Sequence, residues 1–141
     1  MTALKNILDG IRVLDFSQVL AGPTTTRLMA EIGAEVIKLE LAPNGEASRA
    51  LPYLRNGRSG YYIQHNRGKK SVGVDRKDPC SIELLHKVLE RCDVLVESFA
   101  PGAIGRLGFG WETVHKINPR LNHGFDFGFR SERTAVLAAG L

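Results

Sequence analysis

The stretch from Ile11 to Glu40 constrains this chain most, because it reads strand, loop, helix, glycine, strand with no room to spare. The run Ile11-Arg12-Val13-Leu14-Asp15-Phe16 is short, rich in apolar residues and followed by turn formers, as a buried strand should be. Pro23 then suits the first turn of a helix, where its missing N–H has no partner to lose. The segment TTTRLMAEIGAE places Leu28, Met29 and Ile32 on one face, and Gly33 ends the helix. Residues 35–40, EVIKLE, form a second strand. A βαβ unit of this kind calls for parallel strands joined by a right-handed crossover.

The rest of the chain continues the alternation. Residues 41–68 loosen into Pro, Gly, Asn, Arg and Ser with interspersed tyrosines, a long irregular excursion of the sort usually tied to function or mobility. Residues 71–75 return to strand. Pro79 opens a helix in which Ile82, Leu85, Val88 and Leu89 recur at helical spacing, and residues 93–97 form a fourth strand. Ser98-Phe99-Ala100-Pro101-Gly102 turns out of it. Two short helices, 103–107 and 111–117, lead to Asn118-Pro119-Arg120. The expected fold class is α/β, a Rossmann-like, mostly parallel sheet with flanking helices. At 141 residues a single core is the expectation.

In such a sheet ligands bind beyond the carboxyl ends of the strands, here residues 17–23, 41 onward, 75–77 and 98–102. Ala21-Gly22-Pro23 against a helix N-terminus favours an anion. The first turn reads SQVLAGP and not GxGxxG, so the glycines of a dinucleotide fingerprint are missing. Glu40, at the place of a ribose-binding carboxylate, reads as a strand-end surface charge. Arg67, Lys69 and Lys70 in NRGKKS are either a solvated turn or a clamp on phosphate. The net charge of +4 is spread along the chain, which suits a small anionic ligand and gives no case for nucleic acid. Four scattered histidines without HExxH or HxH spacing suggest no metal, and no GxSxG elbow is present. Cys80 and Cys92 form no zinc-type pair and read as reduced thiols. With no secretory signal and no run long enough for a membrane, a cytoplasmic location is expected.

Four blocks in fixed order carry a resemblance. They are GIRVLDFSQVLAGP (10–23), IGAEVIKLE (32–40), NRGKKSVGVD (66–75) and CDVLVESFAPGAIGRLGFGWE (92–112), followed by NPRL. Together they resemble the N-terminal portion of the class III CoA-transferases, the family that includes formyl-CoA transferase, the carnitine CoA-transferases and α-methylacyl-CoA racemase. The resemblance implies a Rossmann-type domain within a larger fold whose two subunits interlock as rings, with a homodimer as the family's state. It implies coenzyme A or acyl-CoA as substrate, bound over the strand ends, and a carboxylic acid as second substrate. By block match Val19, Leu20 and Ala21 flank the thioester arm. Leu41 takes a position where several relatives have Arg. Val74, Asp75, Arg76 and Lys77 match one CoA-contacting turn, and Ser98, Phe99 and Ala100 another. Arg106 matches a phosphate-binding arginine, or else caps the carbonyls of its own helix.

The family mechanism is an aspartate attacking the acyl-CoA thioester to give a mixed anhydride, after which the CoA thiolate passes to the acceptor. In the racemase branch an acid–base pair moves the α-proton. The long 41–65 stretch containing SGYY resembles the transferases more. The essential carboxylate lies beyond a SGFGQxGP run, itself a little past NPRL. Here NHGFDFGFRSERT stands after Leu121 instead. Codons for those residues, read one base later, permit IMVSISGFGQNGP. Residues 1–121 are therefore expected to be the CoA-binding portion and 122–141 an out-of-frame tail. No catalytic residue is assigned, and Asp126 is not taken for the nucleophile. Activity of the chain alone is expected to be absent, its CoA binding weak, and its uncovered apolar faces prone to association.

Overall fold

The computed structural model describes residues 6–125. Five parallel strands form the central sheet: β1 (Arg12–Asp15), β2 (Glu35–Leu41), β5 (Lys70–Val74), β6 (Val94–Glu97) and β7 (Asn122–Phe125), in the order β5-β2-β1-β6-β7. A two-stranded antiparallel hairpin, β3 (Leu54–Arg55) and β4 (Arg58–Ser59), stands apart. The helices are α1 (Ala21–Glu31), α2 (Gly60–Asn66), α3 (Pro79–Leu89), α4 (Ala103–Arg106) and α5 (Trp111–Ile117).

Strands buried on both faces need apolar side chains on both, which is why their sequences run nearly continuously hydrophobic. On one face Leu14, Phe16, Leu39, Val74 and Leu95 pack with Leu85 and Leu89 of α3, Val114 of α5, and Ile104 and Phe109. On the other face Val13, Val36 and Val96 meet Ala34, Met29 and Ala30. Of the three residues expected on the apolar face of α1, only Met29 packs; Leu28 and Ile32 are half exposed, because the inward face is set by Pro23, Thr26 and Ala30. Gly33 at φ +109° ends α1 as expected.

The excursion 41–68 is more ordered than its composition implies. It holds a 3-10 turn (Ala47–Ala50), the hairpin and α2. Asn56 and Gly57 turn the hairpin at φ 51° and 72°, the Asn-Gly pairing suited to a two-residue loop. Ser59 caps α2 by accepting the Tyr62 N–H at 3.2 Å. β7 was not expected either. It lies wholly beyond the boundary placed at Leu121 and pairs in parallel with β6, Asn122 opposite Val94 and Phe125 opposite Glu97. Residues 126–141, including Asp126 and most of the segment read as out of frame, lie outside the described residues.

Candidate functional site

Register puts Asp15 of β1 opposite Lys38 of β2, so both side chains leave the sheet on the α1 face. In runs otherwise apolar, two charges there must find partners or be costly. They do. Asp15 is fully buried and accepts hydrogen bonds from Ser17 N (2.9 Å), Thr26 Oγ1 (2.7 Å) and Lys69 Nζ (2.9 Å). Lys38 Nζ donates to the Ser17 carbonyl at 2.5 Å and lies 3.1 Å from Glu46 Oε2. Lys69 reaches Asn66 Oδ1 and the Pro23 carbonyl as well, each at 2.9 Å. Burial pushes the Lys69 amine down from its usual value, against the pull of Asp15. Two carboxylates and two ammonium groups thus share one dry cluster without net charge.

A second cluster closes the β2 end. Glu40 receives Arg49 Nε (2.6 Å) and Nη2 (2.7 Å), Tyr62 OH (2.7 Å), Ser71 Oγ (2.6 Å) and the Glu46 amide (3.0 Å). Burial opposes ionisation, but these donors outweigh it and hold the carboxyl well below the usual range. The reading of Glu40 as a surface charge is therefore corrected: it is 4 % exposed and organises the loop that follows it. A Cβ on Gly45, at φ +72°, would come within 2.7 Å of Glu40 Oε2, so this close approach requires glycine.

The cations of the basic run NRGKKS have partners within the chain. Arg67 pairs with Glu31 (2.7 Å), Lys69 with Asp15 and Lys70 with Glu35 (2.5 Å), so each cation is engaged within the chain. Glu35, held by Lys70 and by Arg12, is lowered to about 2.

The expected ligand-facing residues gather where the strands end. Val19, Leu20 and Ala21 are exposed at the β1–α1 turn, and Val19 has φ +67°, a strained value for a β-branched residue. Gly22 sits behind them, with room for no side chain: a Cβ would fall 2.3 Å from Ser17 Cβ. Ser98 ties its loop to this turn, its Oγ accepting the Gln18 N–H at 2.9 Å. Phe99 packs on the core and Ala100 is exposed. Leu41 ends β2 opposite Val74, whose side chain is core, leaving only its backbone toward the loops. Asp75, Arg76 and Lys77 are exposed, Asp75 Oδ1 accepting the Lys77 N–H at 2.9 Å. Arg76, Lys77 and Arg106 make no ion pair within the described residues. Arg106 does not cap α4 through its guanidinium, which lies near Gly102. A shallow hollow of about 350 Å³ opens between β2 and β5, bordered by Leu41, Pro43, Arg49 and Gly73. A larger one of about 700 Å³ lies at the β3–β4 hairpin around Tyr53, Arg55 and Ile63.

Sequence reasoning missed Glu46, Lys38 and Asp15 as organisers of the turn. The signal was available: two charged residues inside strands expected to be buried on both faces. Among the described residues no cluster of His, Cys, Asp or Glu suits a metal ion, and no helix is long and apolar enough to cross a membrane.

Comparison with known proteins places these features. Residues 8–125 match the model of CoA-transferase family III. The chain is 45% identical over 115 residues to the formyl-CoA:oxalate CoA-transferase of Afipia carboxidovorans, covering 81% of this chain and 27% of that protein. The enzyme of the same description from Bradyrhizobium sp. (strain ORS 278) is 44% identical over the same length. The chain thus spans about a quarter of the length of these curated relatives. Among solved structures, a CaiB/BaiF family protein from Brucella suis superposes with TM-score 0.80 at 30% identity, over 86% of this chain and 33% of that one. Rv3272 from Mycobacterium tuberculosis gives 0.79 at 38%, over 86% and 34%.

Proposed function

The chain belongs to CoA-transferase family III, and from that premise we propose that it is the CoA-facing N-terminal portion of an enzyme moving coenzyme A from an acyl-CoA to a carboxylic acid. The observation that carries the reading is the strained, exposed Val19–Ala21 turn together with three exposed cations that make no ion pair among the described residues, Arg76 and Lys77 after β5 and Arg106 at the end of α4. Phosphate-rich coenzyme A asks for such cations, and its thioester arm for an apolar turn with accessible backbone. Arg106, as a planar fork, is suited to a phosphate; Val19, Leu20 and Ala21 lie along the arm; Ser98 keeps the two loops in register.

The chemistry is nucleophilic. An aspartate carboxylate oxygen attacks the thioester carbonyl, the C–S bond breaks, and an acyl–aspartyl anhydride forms with release of CoA thiolate. The thiolate attacks the aspartyl carbonyl and expels the donor acid. The acceptor carboxylate displaces the thiolate from the resulting aspartyl thioester to form a second anhydride, and the thiolate attacks the acceptor carbonyl of that anhydride to give the new acyl-CoA and the free aspartate. By the resemblance, that aspartate follows a SGFGQxGP run, which does not occur among the described residues. Formyl-CoA and oxalate, named for relatives at 45% identity, are the first donor and acceptor to try. The long tyrosine-bearing segment between β2 and β5 favours transfer over racemisation. The functional complement is a homodimer acting in the cytoplasm on small acids.

Calorimetric titration of the chain with coenzyme A tests the binding half, saturable uptake being expected and no uptake at millimolar CoA being fatal. Incubation with formyl-CoA and oxalate tests the rest, with mass-spectrometric detection of oxalyl-CoA; deuterium entering the α-position of a branched acyl-CoA instead would establish the racemase reading. We further propose that residues 122–141 are read out of frame. Coding DNA in which the next frame cannot give SGFGQ excludes this.

A further inference from the structure

Val19 is held by more than its neighbours. The Leu20 N–H returns to the Gln18 carbonyl at 3.1 Å, closing a γ-turn with Val19 at its centre and φ +67°. A γ-turn with positive φ is the rarer and more strained form, and a β-branched side chain makes it costlier. Such a turn persists only if its surroundings over-determine it. Here the Val19 N–H is taken by Glu46 Oε1 at 2.9 Å, from a loop beyond the end of β2.

Glu46 is itself immobilised. It is 4 % exposed; Ser48 Oγ donates to Oε1 at 2.6 Å, Asn66 Nδ2 to Oε2 at 3.3 Å, and Lys38 stands 3.1 Å from Oε2. Lys38 in turn grips the Ser17 carbonyl, two residues before Val19. One buried ion pair therefore holds the turn by a carbonyl on one side and an amide on the other. We infer that Glu46 is a positioning residue for coenzyme A: by accepting the Val19 amide proton it fixes the strained turn that presents Val19, Leu20 and Ala21 to the thioester arm. This rests on the assignment of that turn to CoA binding.

The test uses the full chain, wild type and with Glu46→Ala and Glu46→Gln. Amide hydrogen exchange reads the clamp without any ligand, and calorimetry with coenzyme A reads its consequence. In wild type the Val19 amide should be protected despite the exposed side chain. Glu46→Ala should speed its exchange and weaken CoA about tenfold or more, the loss expected of one hydrogen bond to a charged group. Glu46→Gln keeps an acceptor for Val19 but turns an amide donor toward Lys38, so it should fall between. An unprotected Val19 amide in wild type overturns the inference even if the variants fail to fold. So does a folded Glu46→Ala chain that binds CoA like wild type. A wild type that protects Val19 yet takes up no CoA refutes the CoA assignment while upholding the clamp.

Discussion

Lys38 Nζ stands 3.1 Å from Glu46 Oε2 with both side chains almost wholly removed from water. Around them Asp15 and Lys69 form a second buried pair at 2.9 Å, and Lys38 lies 3.9 Å from the same Asp15 oxygen. Ion pairs like these add little net stability, since desolvation offsets attraction, but removing one member leaves a buried charge uncompensated. Their use in this fold is geometric. They fasten the β1–α1 turn to the loop beyond β2, two segments that the parallel sheet brings side by side but does not itself connect.

Lys38→Met should accordingly destabilise the chain by about 3–5 kcal/mol, leaving Glu46 and Asp15 with a shortage of positive charge. The double change Lys38→Met with Glu46→Gln should cost less than the lysine change alone. Urea unfolding of the three variants measures this. Additive losses would show that the two residues do not depend on one another.

Gly22 offers a test of a different kind. It lies in the first turn of α1, where alanine would ordinarily favour the helix. Yet its Cβ would meet Ser17 Cβ at 2.3 Å and Oγ at 2.7 Å, and Ser17 is locked by Asp15. Gly22→Ala should therefore lower stability by about 1–3 kcal/mol, as overpacking does. Thermal melting would reveal it, and an unchanged midpoint would mean that Ser17 can move aside.

The strands of the β1–β2–β5–β6 core and helix α3 were legible because their apolar residues repeat with the right period, and α1 because Pro23 and Gly33 mark its ends although only Met29 of its expected apolar face packs. The hairpin escaped notice for a physical reason: Asn56-Gly57 is a strong turn signal, but the strands flanking it are two residues long and show no alternation. Helix α2 begins at Gly60 and mixes Tyr, Ile, Gln and His, so its cap at Ser59 is clearer than its periodicity. Residues 17–23, 41 onward, 75–77 and 98–102 do follow parallel strands, as read from the sequence, whereas the fastening between them was not legible. Glu46 looks like any polar loop residue until the fold sets it beside Val19, and pairings across 27 positions leave no local trace.

Acid should expose the second cluster. Glu40 is held well below its ordinary value by Arg49, Ser71, Tyr62 and the Glu46 amide, despite burial. Its contribution is complete above the unfolded-state value, about 4.3, and is lost as pH falls from there toward the lower folded value. Wild-type urea midpoints should thus fall between pH 7 and pH 3. Glu40→Gln, less stable at pH 7, should lose less over the same interval. Parallel pH profiles would assign the acid limb to other carboxylates.

Arg106 is exposed at the end of α4 without an ion pair among the described residues, so removing it should cost the fold almost nothing. Against a phosphate it would matter more: a charge-assisted bond is worth about 1.5–3 kcal/mol, or roughly 10- to 100-fold in affinity. Arg106→Ala should weaken coenzyme A by that order with the melting temperature unchanged. Arg106→Lys should recover part of the loss, because a point charge replaces the planar fork. Raised salt should narrow the gap between wild type and Arg106→Ala, since the missing term is electrostatic and exposed. An affinity indifferent to both substitutions and to salt would move the phosphate groups away from α4 and leave Arg76 and Lys77, across the sheet, as the cations that hold them.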